Sequence, residues 1–153
     1  LDTNTYDSRL VYDTLVEAIA SISYYLIEND TPHKVVWYDK KKDSSEVVNV
    51  TDEESARLLI SLLLQASVYD EPDLSVINYI NEPERYKCGH LMYFSPAYNS
   101  DLSGVMNDND LAFRYSYILI TNKKKDGVIN DEFAEVVNVT AKHVAESIQE
   151  ICL

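Results

Sequence analysis

The residues best suited to chemistry open the chain. Leu1 to Thr5 read LDTNT, an acid followed by hydroxyl and amide side chains on the way into a long amphipathic pattern. In α/β folds an acid at the end of a strand, on the turn into a helix, is a recurrent place for a metal or phosphate. The helix's first N–H groups and the acid's oxygens converge there. Asp2, Asn4 and Tyr6 are the candidates on this turn. A second set, Ser95, Tyr98 and Asn99, follows the run HLMYF where Ser95 and Pro96 stop it. Tyr6 and Tyr98 both fall on loops expected at the carboxyl edge of a sheet, where together they would form an aromatic contact surface. Only Leu1 precedes Asp2, so the strand expected ahead of the turn is missing. The chain reads as a C-terminal fragment of a longer protein.

Other constellations carry less. His33, His90 and His143 fall on a loop, a strand start and a helix, without the spacing of a zinc site or a catalytic triad, so structural roles are expected of them. Cys88 and Cys152 lie far apart and outside any Cys-x-x-Cys spacing, and read as reduced thiols. The three glycines, Gly89, Gly104 and Gly127, cannot build a glycine-rich phosphate loop, which excludes the dinucleotide-binding and P-loop classes. A net charge of −13 would repel a phosphate backbone, and Lys40 to Lys42 and Lys123 to Lys125 read as solvated loop charge, so no nucleic-acid partner is expected. The 153 residues, 46% hydrophobic and 25% charged, suit one globular domain with a real core. No uninterrupted apolar run approaches a membrane span, so no membrane contact is expected of this segment.

The elements that must position the candidates follow from periodicity. Leu10, Val11, Leu15, Ala18, Ile19, Ile22, Leu26 and Ile27 recur at helical spacing over Ser8 to Glu28. Lys34 to Tyr38, KVVWY, and Glu46 to Val50, EVVNV, read as strands close enough to pair antiparallel. Thr51 and Glu54 suggest a capping box before a helix over Ala56 to Ala66 that is apolar almost all round. A break at Asp70 to Asp73, a short helix through Leu74, Ile77 and Ile80, and the strand His90 to Phe94 come next. Ser100 to Asn107 suggests helical turns with Leu102, Val105 and Met106 inward, and Tyr115 to Ile120 is the clearest strand. Tyrosines within these elements, Tyr93, Tyr115 and Tyr117 among them, should pack in the core with the hydroxyl at its rim. Asp131 to Cys152 predicts a long closing helix, with Asp131 and Glu132 at the positive end of its dipole. The hexapeptide EVVNVT occurs twice, at Glu46 to Thr51 and Glu135 to Thr140; flanking periodicity assigns the first to a strand and the second to a helix. This order describes a mostly parallel sheet with helices on both faces.

The LDTN turn, the helix YDTLVEAIASISYYLIEND, the strand KVVWYD, and the strand HLMYF with its following loop together resemble the von Willebrand factor A-like half of the bacterial domain of unknown function 58 family, from Leu1 to about Leu153. The resemblance implies a von Willebrand A-like (Rossmann-like) three-layer α/β sandwich, its sheet mostly parallel with one antiparallel strand. It implies a cytoplasmic domain of a protein that can be membrane-anchored, and a protein partner of the MoxR-type AAA+ ATPase class; a homodimer of the isolated fragment is a further expectation. The family's metal-ion-dependent adhesion site uses Asp-x-Ser-x-Ser on the first turn, a Thr from a second loop and an Asp after the fourth strand. Asp2 matches, Asn4 could supply an oxygen for a serine, Tyr6 does not match, and Ser95 to Asn99 holds no acid before Asp101. The site therefore reads as degenerate, with magnesium or manganese not expected and Asp2 and Asn4 the ligands if any metal binds. LDTNT is also similar to the Asp-x-Asp-x-Thr nucleophile loop of haloacid-dehalogenase-type phosphotransferases, in which Asp2 would be the nucleophile of a magnesium-dependent phosphatase. Asn4 replaces the acid that must move the proton there. A non-catalytic protein-interaction module is the reading adopted.

Overall fold

The computed structural model describes residues 9–66, 73–82, 85–122 and 129–147. Asp2, Asn4 and Tyr6 lie outside them. Helix α1, Arg9–Glu28, buries Val11, Leu15, Ala18, Ile19 and Ile22 along one stripe, as their three- and four-residue spacing requires. Leu10, expected on that stripe, is 51% exposed at the first turn. By length and hydropathy α1 could span a membrane, and here its apolar stripe is used in the core.

Strands β1, His33–Asp39, and β2, Ser44–Val50, form an antiparallel hairpin in register from His33 opposite Val50 to Asp39 opposite Ser44. Asp43 closes its turn at φ 51, a left-handed conformation that aspartate tolerates. Helix α2, Glu53–Leu63, is capped one residue later than expected. Asp52 accepts from the Ser55 N–H at 2.8 Å, and Ser55 Oγ accepts from the Asp52 N–H at 3.1 Å, so Asp52 and Ser55 form the box in place of Thr51 and Glu54. Leu59 and Leu63 are fully buried, while Leu58 is 54% exposed; the helix is amphipathic and not apolar all round in its packing.

Helix α3, Leu74–Ile80, leads to β3, Cys88–Ser95; helix α4, Ser100–Asp108, leads to β4, Ala112–Thr121; β5 is Glu135–Thr140. The three strands form a parallel sheet with β4 in the centre. β4 is buried on both faces from Tyr115 to Ile120: Ile118 and Ile120 pack with α1 and α2, and Tyr115, Tyr117 and Leu119 with α3 and α4. The result is an α/β arrangement with helices on both faces of a parallel sheet. Val105 of α4, expected inward, is 41% exposed, and Met106 takes the buried position.

Two expectations about the sheet change. The described residues form two sheets, the β1–β2 hairpin and the β3–β4–β5 sheet, not one mixed sheet. The long closing helix from Asp131 is replaced by strand β5, with helix beginning only at Val144. The valines of Glu135 to Thr140 complete the open edge of β4, and that pairing outweighs the helical spacing of the surrounding apolar residues.

Candidate functional site

The carboxyl ends of β1 and β3 meet the start of α3, and the side chains there interlock. Asp73, at φ 61 just before α3, accepts from the Val76 and Ile77 N–H groups through its carbonyl, but its side chain makes no cap to the helix. Its buried carboxylate turns instead across the sheet edge. Oδ1 accepts from the Tyr93 hydroxyl at 3.0 Å and Oδ2 from the Asn99 amide at 2.6 Å. The charged acceptor strengthens both bonds. The same α3 start reaches β1, where the Tyr38 N–H donates to Ser75 Oγ at 3.3 Å.

The loop after β3 is held by its own residues. Ser95, 1% exposed, donates from Oγ to the Ala97 carbonyl at 2.9 Å, and the Ala97 N–H donates back at 3.3 Å. Asn99 is used twice: besides its bond to Asp73, its Oδ1 accepts from the Asp101 N–H at 3.0 Å and so caps α4. The fully buried Tyr117 of β4 props the loop from beneath, donating to the Ala97 carbonyl and accepting from the Asn99 N–H at 3.2 Å. Tyr93 and Tyr98 pack edge-on against the Tyr117 ring, with centroids 5.1 Å and 5.2 Å away.

Tyr98 was expected as part of an open aromatic surface, and its place is different. It is half-buried, and its hydroxyl donates to Asp131 Oδ2 at 2.7 Å. Burial and the neighbouring Asp131 carboxylate push the Tyr98 phenol up to about 12. Burial works to raise the Asp131 carboxyl, but bonds from Tyr98, Ser103 and the Phe133 and Ala134 N–H groups outweigh it and hold the group below the usual carboxylate range. Asp131 thus organises the turn into β5 instead of a helix start.

Ser95, Tyr98 and Asn99 are therefore brought together, while Asp2, Asn4 and Tyr6 lie outside the described residues. Sequence reasoning missed Asp73 and Asp131 as members of this edge. Asp73 precedes a helical run and has the form of an ordinary cap; only its left-handed backbone, which sequence does not reveal, aims the carboxylate at Tyr93 and Asn99. Chemically, the edge offers hard oxygen donors in Asp73, Ser95 and Asn99. Among the described residues, no cluster of three or more His, Cys, Asp or Glu side chains is placed to hold a metal ion. No family model matches the chain, and no curated protein matches it in sequence.

Proposed function

We propose that the chain is a non-catalytic protein-interaction module on a von Willebrand A-like sheet, similar to that of the domain of unknown function 58 family. Its contact surface is the carboxyl edge around Ser95 to Asn99, together with the Asp2 to Tyr6 turn. Its partner is a protein, with a MoxR-type AAA+ ATPase the class to test first. The carrying observation is the Asp73 network. It fixes the loop after β3 through Tyr93 and Asn99 while using Ser95, Tyr98 and Asn99 as internal fasteners. Such an edge presents a pre-organised shape, which lowers the ordering cost of binding. Exposed Lys40, Lys41, Ser100 and Asp101 surround it and supply polar rim contacts.

The same network limits what this edge offers a cation. Both oxygens of Asp73 already accept strong hydrogen bonds, and the Asn99 oxygen is used in capping α4. A cation would have to compete for the remaining lone pairs.

The test is binding of the chain to a purified MoxR-type ATPase, comparing wild type with Asp101→Arg and Lys41→Glu. Saturable binding weakened by these rim substitutions is expected. Equal binding by all three proteins would remove the edge from the interface, and no binding would remove this partner class. Titration with magnesium and manganese is the companion experiment: saturable binding lost in Asp2→Ala would overturn the degenerate reading. Turnover of an aryl phosphate lost in the same variant would replace the binding module with the phosphotransferase.

A further inference from the structure

Among the described residues β2 pairs with β1 alone, so one of its two margins is without a ladder. Which groups that margin presents follows from β1. The Tyr38 N–H donates to Ser75 Oγ and so points away from β2. In an antiparallel pair, residues that exchange hydrogen bonds alternate with residues whose N–H and C=O point outward. Ser45, opposite Tyr38, therefore turns its backbone groups outward, and by the same alternation so do Val47 and Asn49. Natural sheets close such a margin with lysine or proline on the strand, a bulge or a covering segment. β2 contains neither lysine nor proline, and its register with β1 runs without a bulge from end to end. The single charge on it, Glu46, is paired with Lys42 at 2.9 Å. Val47, at its middle, is 50% exposed. Charge collects instead beyond the two ends: Lys41 and Lys42 just before the strand and Asp52, Glu53 and Glu54 just after it, all exposed.

We propose that two copies of the chain associate through this margin, β2 against β2 and antiparallel, about a two-fold axis at Val47. In an antiparallel ladder, outward groups meet outward groups. With Val47 opposite Val47, Ser45 lies opposite Asn49 of the other copy, so the outward N–H and C=O groups of all three residues find partners. The ends of the seam then match in charge. The same register sets Lys42 opposite Asp52 and Lys41 opposite Glu53 of the other copy, and the two-fold repeats this at the opposite end. Neighbouring registers that keep the ladder lose the match. An axis at Glu46 sets Lys42 against Val50 and Lys41 against Thr51, and an axis at Val48 sets Asp43 against Glu53. The occupant of the margin is thus a second copy of this chain, whose basic turn and acidic helix start complement each other only when the copies run in opposite directions. The seam is short, seven residues on each side, and falls below a standard interface, so the dimer is weak and concentration-dependent.

Sedimentation velocity of the chain alone, from about 5 µM to about 500 µM, reads the assembly, and amide hydrogen exchange at both ends of that range reads the seam. The expected result is a dimer at the upper end, with the Ser45, Val47 and Asn49 N–H groups slowed there by about tenfold or more and the Glu46 and Val48 N–H groups, which face β1, unchanged. Val47→Asp sets two like charges face to face at the axis and should raise the dissociation constant by about tenfold or more, with the circular dichroism of the wild type. Lys41→Glu and Glu53→Lys should each weaken the dimer, and an equimolar mixture of these two variants should recover it, because each then meets the opposite charge on the other. A monomer throughout the range would overturn the proposal. A dimer whose Ser45, Val47 and Asn49 exchange as they do in the monomer, or one indifferent to Val47→Asp, would overturn the β2 seam. Failure of the mixture to recover would overturn the register centred on Val47. Only this chain is present in these measurements, so none of the outcomes depends on whether an ATPase binds.

Discussion

Replacing Asp73 by Asn tests whether the carboxyl edge is held by one charged acceptor. Asparagine tolerates the left-handed φ of 61 at this position, so the substitution isolates the side chain from the backbone. The Tyr93 hydroxyl keeps an oxygen acceptor, but the Asn99 amide, 2.6 Å from Oδ2, now meets a second amide donor. Asn99 cannot turn its oxygen to meet it without giving up the Asp101 N–H, and with it an α4 cap worth ~1 kcal/mol. Losing a hydrogen bond to a charged group costs roughly 1.5–3 kcal/mol. A loss of about 2 kcal/mol is therefore expected, or roughly 4–8 °C in thermal midpoint for a domain of this size. The informative variant is the double exchange Asp73→Asn with Asn99→Asp. The amide on 73 then faces a carboxylate on 99, whose other oxygen still caps α4, so about 1 kcal/mol or more should return as coupling. Urea unfolding followed by circular dichroism measures this, with an unchanged denaturant slope as the check that only stability moved. A cost below about 0.5 kcal/mol for Asp73→Asn, or strict additivity in the double variant, would refute the network as described.

Three further outcomes follow. Leu63→Ala should cost about 2–5 kcal/mol because the side chain is fully buried, and Leu58→Ala, on the exposed face of the same helix, should stay within about 0.5 kcal/mol; equal costs would contradict the packing of α2. Burial holds His33 and His90 below the ordinary imidazole value, with Arg114 adding to the effect on His90. Their contribution to stability is thus complete above about pH 6.5 and lost as pH falls from there toward the depressed folded values. Urea midpoints across that range should fall less in His33→Asn with His90→Gln, and an unchanged slope would count against the assignment. Tyr98, raised to about 12, favours the fold below the ordinary phenol value of about 10 and loses that contribution as pH rises through about 12. Alkaline absorbance titration of Tyr98→Phe should lack one tyrosine ionising near 12; identical curves would show that the Asp131 bond does not set it.

Much of the fold was legible because its elements carry their period in side chains that pack as the period demands. The stripe of α1 and the run KVVWY need no partner to be recognised, since burial of Val11, Leu15 and Trp37 follows from local spacing. The site was legible only by type. Ser95, Tyr98 and Asn99 stand where polar residues end a strand, which sequence can see. What holds Tyr98 and Asn99 comes from residues 18 to 33 positions away, Tyr117, Asp73 and Asp131, and long-range pairing of this kind leaves no local trace.

The repeated EVVNVT shows where local signals stop deciding. Its second copy sits among apolar residues that also satisfy a helical period, and the two readings differ in what they offer Asn138. In a helix interior its side chain would compete with the backbone ladder. In β5, opposite Leu119, its amide donates to the Leu119 carbonyl at 3.1 Å and to Thr121 Oγ1 at 2.9 Å, fastening the strand to β4. Val139 is at the same time fully buried in the cluster that holds α1. Both copies end as outer strands of their sheets, β2 beside β1 and β5 beside β4. An outer strand needs one good face and a way to fasten its single partner, and a valine-rich hexapeptide with one amide meets that need in either the antiparallel or the parallel setting.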